Sequence, residues 1–192
     1  CIFDVSIPDN PRLVTTTPTT NARGITPFGD LLLVADGGGG LAVLDMDSPT
    51  RPEVVGSRKT SDARRIAAFA PDEDSVLAVV ADGEYGIKLI DLSNPFDPER
   101  IETIASTEAH DVAVVQVRGE IAVYVADGAG GLKLYNAAGR GLALAETYPL
   151  SDTRSVTIHA NLLLVGDYAD GVVVYDLADP FAELLAKHQA EA

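Results

Sequence analysis

Four basic residues in this chain each stand one hairpin ahead of an aspartate: Arg23 before Asp36, Arg64 before Asp82, His110 before Asp127 and Arg154 before Asp167. The separations are 13, 18, 17 and 13 residues, yet folding each segment about its own turn sets the base opposite the Asp every time. Opposed side chains in an antiparallel pair lie about 4.5–5.5 Å apart at Cβ, and opposite charges there contribute roughly 0.2–1 kcal/mol. The first expectation is therefore structural: four ionic ties at strand ends. The second is a site. Asn21, Asp62, Glu108 and Asp152 each lie two residues before the base, so guanidinium and carboxylate groups could form a ring that holds an ion or a small polar ligand.

Other chemistry is harder to find. His110, His159 and His188 share no metal-ligand spacing, and Cys1 is the lone cysteine. No serine sits in a nucleophile elbow, and no carboxylate pair stands apart from the repeat pattern. The loops "DGGGG", "DGEYG", "DGAGG" and "DYADG" are glycine-rich, but the pattern after each is a strand, whereas phosphate-cradling loops open a helix. They also lack acidic residues at the alternating positions a calcium loop uses. The expectation is no catalytic residue, no metal and no cofactor.

Those loops belong to a longer repeat. "VADGGGGLAVLD", "VADGEYGIKLID", "VADGAGGLKLYN" and "VGDYADGVVVYD" recur at spacings of 46, 45 and 40 residues, counted at their shared Asp. Periods of about 40–50 residues indicate propeller blades. One unit holds four short β-rich runs, "RGITPF", "LLLVAD", "GLAVLD" and "EVVGSRK", separated by turn residues. Gly in the second turn supplies positive φ without penalty. The Asp closing the third run (Asp4, Asp45, Asp91, Asp176) precedes Ser or Asp and Pro, which make tight turns. Only the first hairpin varies, turning at 29–30, 71–75, 118–119 and 160–161.

The expected fold is all-β, a β-propeller of four-stranded blades with about four and a half present. Residues 1–20 read as the second half of a blade, and 21–61, 62–106, 107–151 and 152–192 as whole blades of one domain. In the last, "FAELLAKHQAEA" favours helix, so its outer strand is expected to be weak, frayed or replaced. Strand one of each blade lines the central channel, which would gather the four bases at one mouth.

The stretch "RGITPFGDLLLVADGGGGLAVLDMDSPTRPEVVGS" resembles the LVIVD repeat of bacterial and archaeal surface proteins. The resemblance spans most of the chain, weakening where "NAAGRG" replaces the Asp-x-Ser-x-Pro turn and again in the final blade. It implies a propeller, a surface or secreted location and a binding role, and it brings no catalytic residues.

Composition narrows the partners. With 29 acidic against 14 basic residues the net charge is −15, which repels a nucleic-acid backbone. No apolar run reaches the roughly 18 residues of a membrane span, and the first residues lack a signal-peptide layout. The expected function is a non-catalytic, extracellular or surface module that binds or scaffolds another protein, or joins missing blades of the same propeller. The alternative is a hydrolase-like propeller enzyme with its site at the channel mouth.

Overall fold

The structure is a computed structural model that describes residues 1–117, 119–177 and 184–188. Strands β1 (Ile2–Asp4) and β2 (Arg12–Thr15) form a two-stranded antiparallel sheet. Four antiparallel four-stranded sheets follow, each ordered as its strands occur along the chain. The first blade contains β3 (Gly24–Phe28), β4 (Leu31–Ala35), β5 (Leu41–Asp45) and β6 (Glu53–Arg58). The second contains β7 (Arg65–Phe69), β8 (Leu77–Ala81), β9 (Ile87–Asp91) and β10 (Glu99–Ile104). The third contains β11 (Asp111–Val117), β12 (Glu120–Ala126), β13 (Leu132–Ala138) and β14 (Gly141–Tyr148). The fourth contains β15 (Thr153–His159), β16 (Leu162–Asp167), β17 (Gly171–Asp176) and β18 (Leu184–His188).

The core lies between blades. Strand β8 reads "LAVVA", apolar at every position, because both its faces are covered. Leu77, Val79 and Ala81 pack with Val112, Val123 and Tyr135 of the third blade. Ala78 and Val80 point the other way, towards Leu33, Ala35 and Val43 of the first. Tyr124, Leu132 and Leu134 meet Val156, Leu163, Val165 and Tyr175 in the same manner. A strand alternates its side chains between two faces, so two buried faces demand a continuous apolar run. The two-stranded sheet is different: Phe3 and Leu13 are more than half exposed.

Turns follow the local chemistry. Asp4, Asp45 and Asp91 accept hydrogen bonds from the backbone N–H two residues on, at Ser6, Asp47 and Ser93 (2.9, 2.8 and 2.8 Å). Gly40, Gly86 and Gly131, at the ends of the glycine-rich loops, have φ of 84°, 89° and 76°. A Cβ on any of them would also lie within 2.4 Å of backbone carbonyl oxygen, at Arg58, Ile104 or Tyr148. Close approach thus requires glycine as much as the dihedral does.

Two features depart from the sequence reading. The final segment does not replace its outer strand with helix: β18 pairs with β17 through Val172↔His188 and Val174↔Ala186. The open edge of β17 offers N–H and C=O groups that need partners, and this outweighs helix propensity. The rest of that segment, and Arg118 in the 118–119 turn, lie outside the described residues. In addition, every pairing of a third strand with a fourth carries a bulge. Bulges increase local twist, here in the outer strand of every blade.

Candidate functional site

The inner strands β3, β7, β11 and β15 run side by side, joined in places directly. Thr26 Oγ1 donates to the Ile66 carbonyl at 2.6 Å, and the Val156 N–H donates to Asp111 Oδ2 at 3.1 Å. All four strands begin at the same mouth. Arg23, Arg64 and His110 immediately precede their inner strands and Arg154 is the second residue of its own, so the structure gathers all four there.

It does not tie them to the aspartates set opposite them. Backbone register runs as the hairpin folding requires in the first three blades, where the Arg23, Arg64 and His110 N–H groups donate to the carbonyls of Ala35, Ala81 and Ala126. In the fourth, a bulge sets Thr153 against Asp167 and displaces Arg154. The side chains diverge in every case. Asp36, Asp82, Asp127 and Asp167 turn inwards, all less than a tenth exposed. Each accepts hydrogen bonds from the segment that enters its own blade. Asp36 takes the Thr20 N–H (2.8 Å), and Asp82 takes the Thr60 hydroxyl (2.6 Å) and the Asp62 N–H (2.7 Å). Asp127 takes the Ser106 hydroxyl and the Glu108 N–H (2.8 Å), and Asp167 takes the Asp152 N–H (2.8 Å). The four are latches on the entering backbone. The expected ionic ties are corrected accordingly: converging backbone N–H groups can satisfy a buried carboxylate fully, whereas a long Arg side chain reaches solvent and other acids.

Two of these latches include a lysine that the hairpin reading passed over. Lys88 Nζ lies 3.5 Å from Asp82 Oδ2, and Lys133 Nζ pairs with Asp127. Both sit six residues after the Asp, a spacing legible in the sequence. Burial alone would raise the Asp127 carboxyl, but Lys133, Ser106 and the backbone donors outweigh it and hold it below the usual carboxylate value. Just beyond each latch, Gly37, Gly83 and Gly128 form antiparallel bridges with Ala63, Ala109 and Thr153 of the following blade. One short segment therefore fixes both its own blade and the next.

The bases bridge a different set of acids. Arg23 Nη1 meets Asp62 Oδ1 at 2.7 Å, and Asp62 Oδ2 accepts from Arg64 Nε at 2.8 Å. Arg64 Nη1 reaches across to Glu108 Oε1 at 2.9 Å. His110 Nε2 lies 3.2 Å from Glu108 Oε2, and Arg154 Nη2 bonds Asp152 Oδ2 at 2.6 Å. With its amide oriented to accept, Asn21 receives Arg23 Nε and Nη2 at 3.2 Å. The result is one ladder across four blades, made of the residues singled out at each base and at the position two before it.

His110 is the ladder's most enclosed rung. Its Nδ1 is 2.7 Å from Arg64 Nη1 and its Nε2 is 2.9 Å from Arg154 Nη1. Burial lowers the imidazole pKa, the two guanidiniums lower it further, and Glu108 opposes them without prevailing. In the neutral ring one nitrogen accepts and the other donates: with the proton on Nε2, Nδ1 accepts from Arg64 and Nε2 donates to Glu108, and Arg154 then has no acceptor on the ring. Burial would lower Arg64, but its bonds to Asp62 and Glu108 outweigh this and raise it. Hydrogen bonding from Arg64 leads the causes that hold Glu108 below its usual value.

Beside the ladder opens a cavity of about 600 Å³. Its wall carries the carboxylates of Asp62, Glu84, Glu108 and Asp152 and the guanidiniums of Arg64 and Arg154. Thr107 and Ser151 add hydroxyls. Glu84, Thr107 and Ser151 were not singled out in the sequence; the signal for Glu84 is its place in "DGEYG", where the first and third blades carry only Gly and Ala. Two exposed aromatics neighbour residues that line the cavity. Tyr85, 50% exposed, follows Glu84, and Tyr168, 85% exposed, donates its backbone N–H to the Asp152 carbonyl (2.9 Å). Among the described residues no His, Cys, Asp and Glu cluster could hold a metal, and no helix is long and apolar enough to cross a membrane.

Comparison with known proteins agrees with this architecture. Residues 20–60 match the LVIVD repeat family model. No curated protein matches the chain. A candidate 6-phosphogluconolactonase from Bacteroides uniformis superposes with a TM-score of 0.75 at 12% identity, over 94% of this chain and 60% of its own. The Cps50 (Swd1) β-propeller domain of Myceliophteria thermophila gives 0.65 at 13%, over 88% and 59%. The computationally designed Ika8 protein gives 0.59 at 11%, over 88% and 50%. The chain thus spans about half to three-fifths of the length of these neighbours, and at such identities the likeness establishes the fold alone.

Proposed function

We propose that this LVIVD-repeat β-propeller is a non-catalytic binding module that engages another protein through the face carrying the channel mouth, and that it works at the cell exterior, as the repeat family implies. One observation carries the reading: exposed Tyr85 and Tyr168 neighbour Glu84 and Asp152 of a cavity whose guanidiniums are bonded to its carboxylates. Tyrosine and arginine are the residues that protein interfaces favour. A hydrolase needs a group held ready for substrate, with its hydrogen-bonding capacity and charge uncommitted. Here Arg64, Glu108, His110, Arg154 and Asp152 are each engaged in the ladder. The exposed face of β1–β2, with Phe3 and Leu13, offers a second contact, suited to strands that complete that sheet from a longer form of the propeller or from a partner.

The test compares surface proteins retained by the immobilised wild-type chain and by the double variant Tyr85→Glu, Tyr168→Glu. A partner bound directly by the purified wild type and lost by the variant supports the reading. Equal retention by both assigns binding to another face. Turnover of an ester, lactone or glycoside that disappears in Glu108→Gln would establish the enzyme instead.

A further inference from the structure

We infer that the inner edge of the β1–β2 sheet is a docking site for a β-hairpin of this same repeat, donated by a partner chain and seated as the first two strands of that blade. The inference rests on the second contact in the proposed function and specifies its occupant. β1 and β2 stand where the other blades have their third and fourth strands. Asp4 faces Arg12 as Asp45 faces Glu53, and the bulge at Ile2/Phe3 repeats the one at the matching residues Val43/Leu44. Among the described residues β1 pairs with β2 alone, so its other edge offers N–H and C=O groups for a further strand.

The first blade shows how much is uncovered. Ile66, Val112 and Val156, each two residues past the base of its blade, are 4%, 6% and 5% exposed. They pack on second-strand residues of the preceding blade: Leu33 and Ala35 for Ile66, Val79 and Ala81 for Val112, Tyr124 and Ala126 for Val156. Ile25 holds the same place in the first blade and is 68% exposed. A crevice of about 140 Å³ runs between Ile2 on one side and Ile25, Leu32 and Val34 on the other. One added strand pairs with β1, and a second, about 4.8 Å further in, is needed to cover Ile25. Register sets what the hairpin carries. Leu33 pairs with Val43, so the matching residue falls opposite Ile2, with Ala two positions on and the latch Asp after it. The sequence that fits is apolar-x-Ala-Asp, as in "LVAD", "VVAD" and "YVAD". The chain's own four hairpins are already built into their blades. A second copy of β1 does not fit either. Antiparallel strands pair about a two-fold axis normal to the sheet, which would bring both first blades onto one face.

The experiment titrates the whole ¹⁵N-labelled chain with a synthetic peptide of residues 21–40, which carries strands one and two of the first blade. The expected result is saturable shifts at the Ile2, Ile25 and Val34 amides, at least about tenfold tighter than with a scrambled peptide. Hydrogen exchange of the β1 amides should slow on binding, a sign of strand pairing that apolar contact alone does not give. Ile25→Asp, at an exposed position, should unfold in urea as wild type does and lose the binding. Ala35→Asp in the peptide should lose it as well. No saturable binding, equal binding of the scrambled peptide, unchanged β1 exchange, or binding that survives both substitutions would each overturn the inference. Self-association that the peptide fails to disperse would put a second copy in the site, and a longer form of the chain that protects β1 unaided would put the donor in cis; either overturns it. Peptide binding should be unchanged in the double variant Tyr85→Glu, Tyr168→Glu, so this reading and that of the channel mouth fail separately.

Discussion

Two polar networks are built from neighbouring positions of the same repeat, and they have opposite characters. The latch, at Asp36, Asp82, Asp127 and Asp167, is buried and spends its acceptors on backbone. The ladder, at Arg23, Asp62, Arg64, Glu108, His110, Arg154 and Asp152, faces the channel mouth and links side chains across blades. Both contain acids from every whole blade past the first, so residue type does not separate them. Burial does. A carboxylate enclosed by converging N–H donors cannot exchange them for water, and its loss leaves several groups stranded. An exposed ion pair exchanges its partner for solvent at little cost. The latch therefore tolerates little change and the ladder can vary, as it does in placing Asn21 and His110 where other blades carry an acid and an arginine.

The contrast breaks most sharply at Asp82. Asp82→Ala strands the Thr60 hydroxyl, the Asp62 N–H and the buried Lys88 ammonium together. Removing one member of a buried ion pair costs about 3–5 kcal/mol, so urea denaturation should show a loss of that order or no folded protein. A loss of under about 1 kcal/mol would show that the latch is no more structural than the ladder.

Arg64→Ala tests the ladder at its centre. It frees Asp62 and Glu108, both of which reach water, and the expected loss is about 1 kcal/mol by the same measurement. Because these pairs are part-exposed, the difference from wild type should shrink further in high salt. A salt-independent loss equal to that of Asp82→Ala would erase the distinction between the networks.

The smallest effect concerns pH. The folded His110 pKa lies below its ordinary value, so between that depressed pKa and about 6.5 the unfolded chain binds the proton and the folded chain does not. Stability therefore rises with pH across this window and is lost as pH falls through it. Wild type should lose more stability than His110→Gln between pH 7.5 and 5.5, by less than about 1 kcal/mol. The opposite order would mean that Glu108 prevails over Arg64 and Arg154 in stabilising the imidazolium.

Much of this molecule follows from sequence alone. Recurrence of "VAD" followed by a glycine-rich loop fixes four-stranded blades, because alternation, turn residues and period all point to one unit. Gly29-Asp30 and Ala160-Asn161 turn where the folded hairpins require, and Gly40, Gly86 and Gly131 fall where φ is positive. Membership of the channel-mouth cluster was legible too, since every base and every residue two before it can be counted along the repeat. What each one bonds was not. Hairpin folding supplies backbone register within one blade, and register placed Arg64 opposite Asp82. Only the packing of one blade on the next brings Glu108 to Arg64 and Asp62 to Arg23, from residues 44 and 39 positions apart. Burial, decided by the same packing, sends Asp82 inwards to the entering backbone and leaves Arg64 at the mouth. Sequence specifies a blade because its determinants are local; the site depends on how blades stack, so its partners and charge state are set by the tertiary structure.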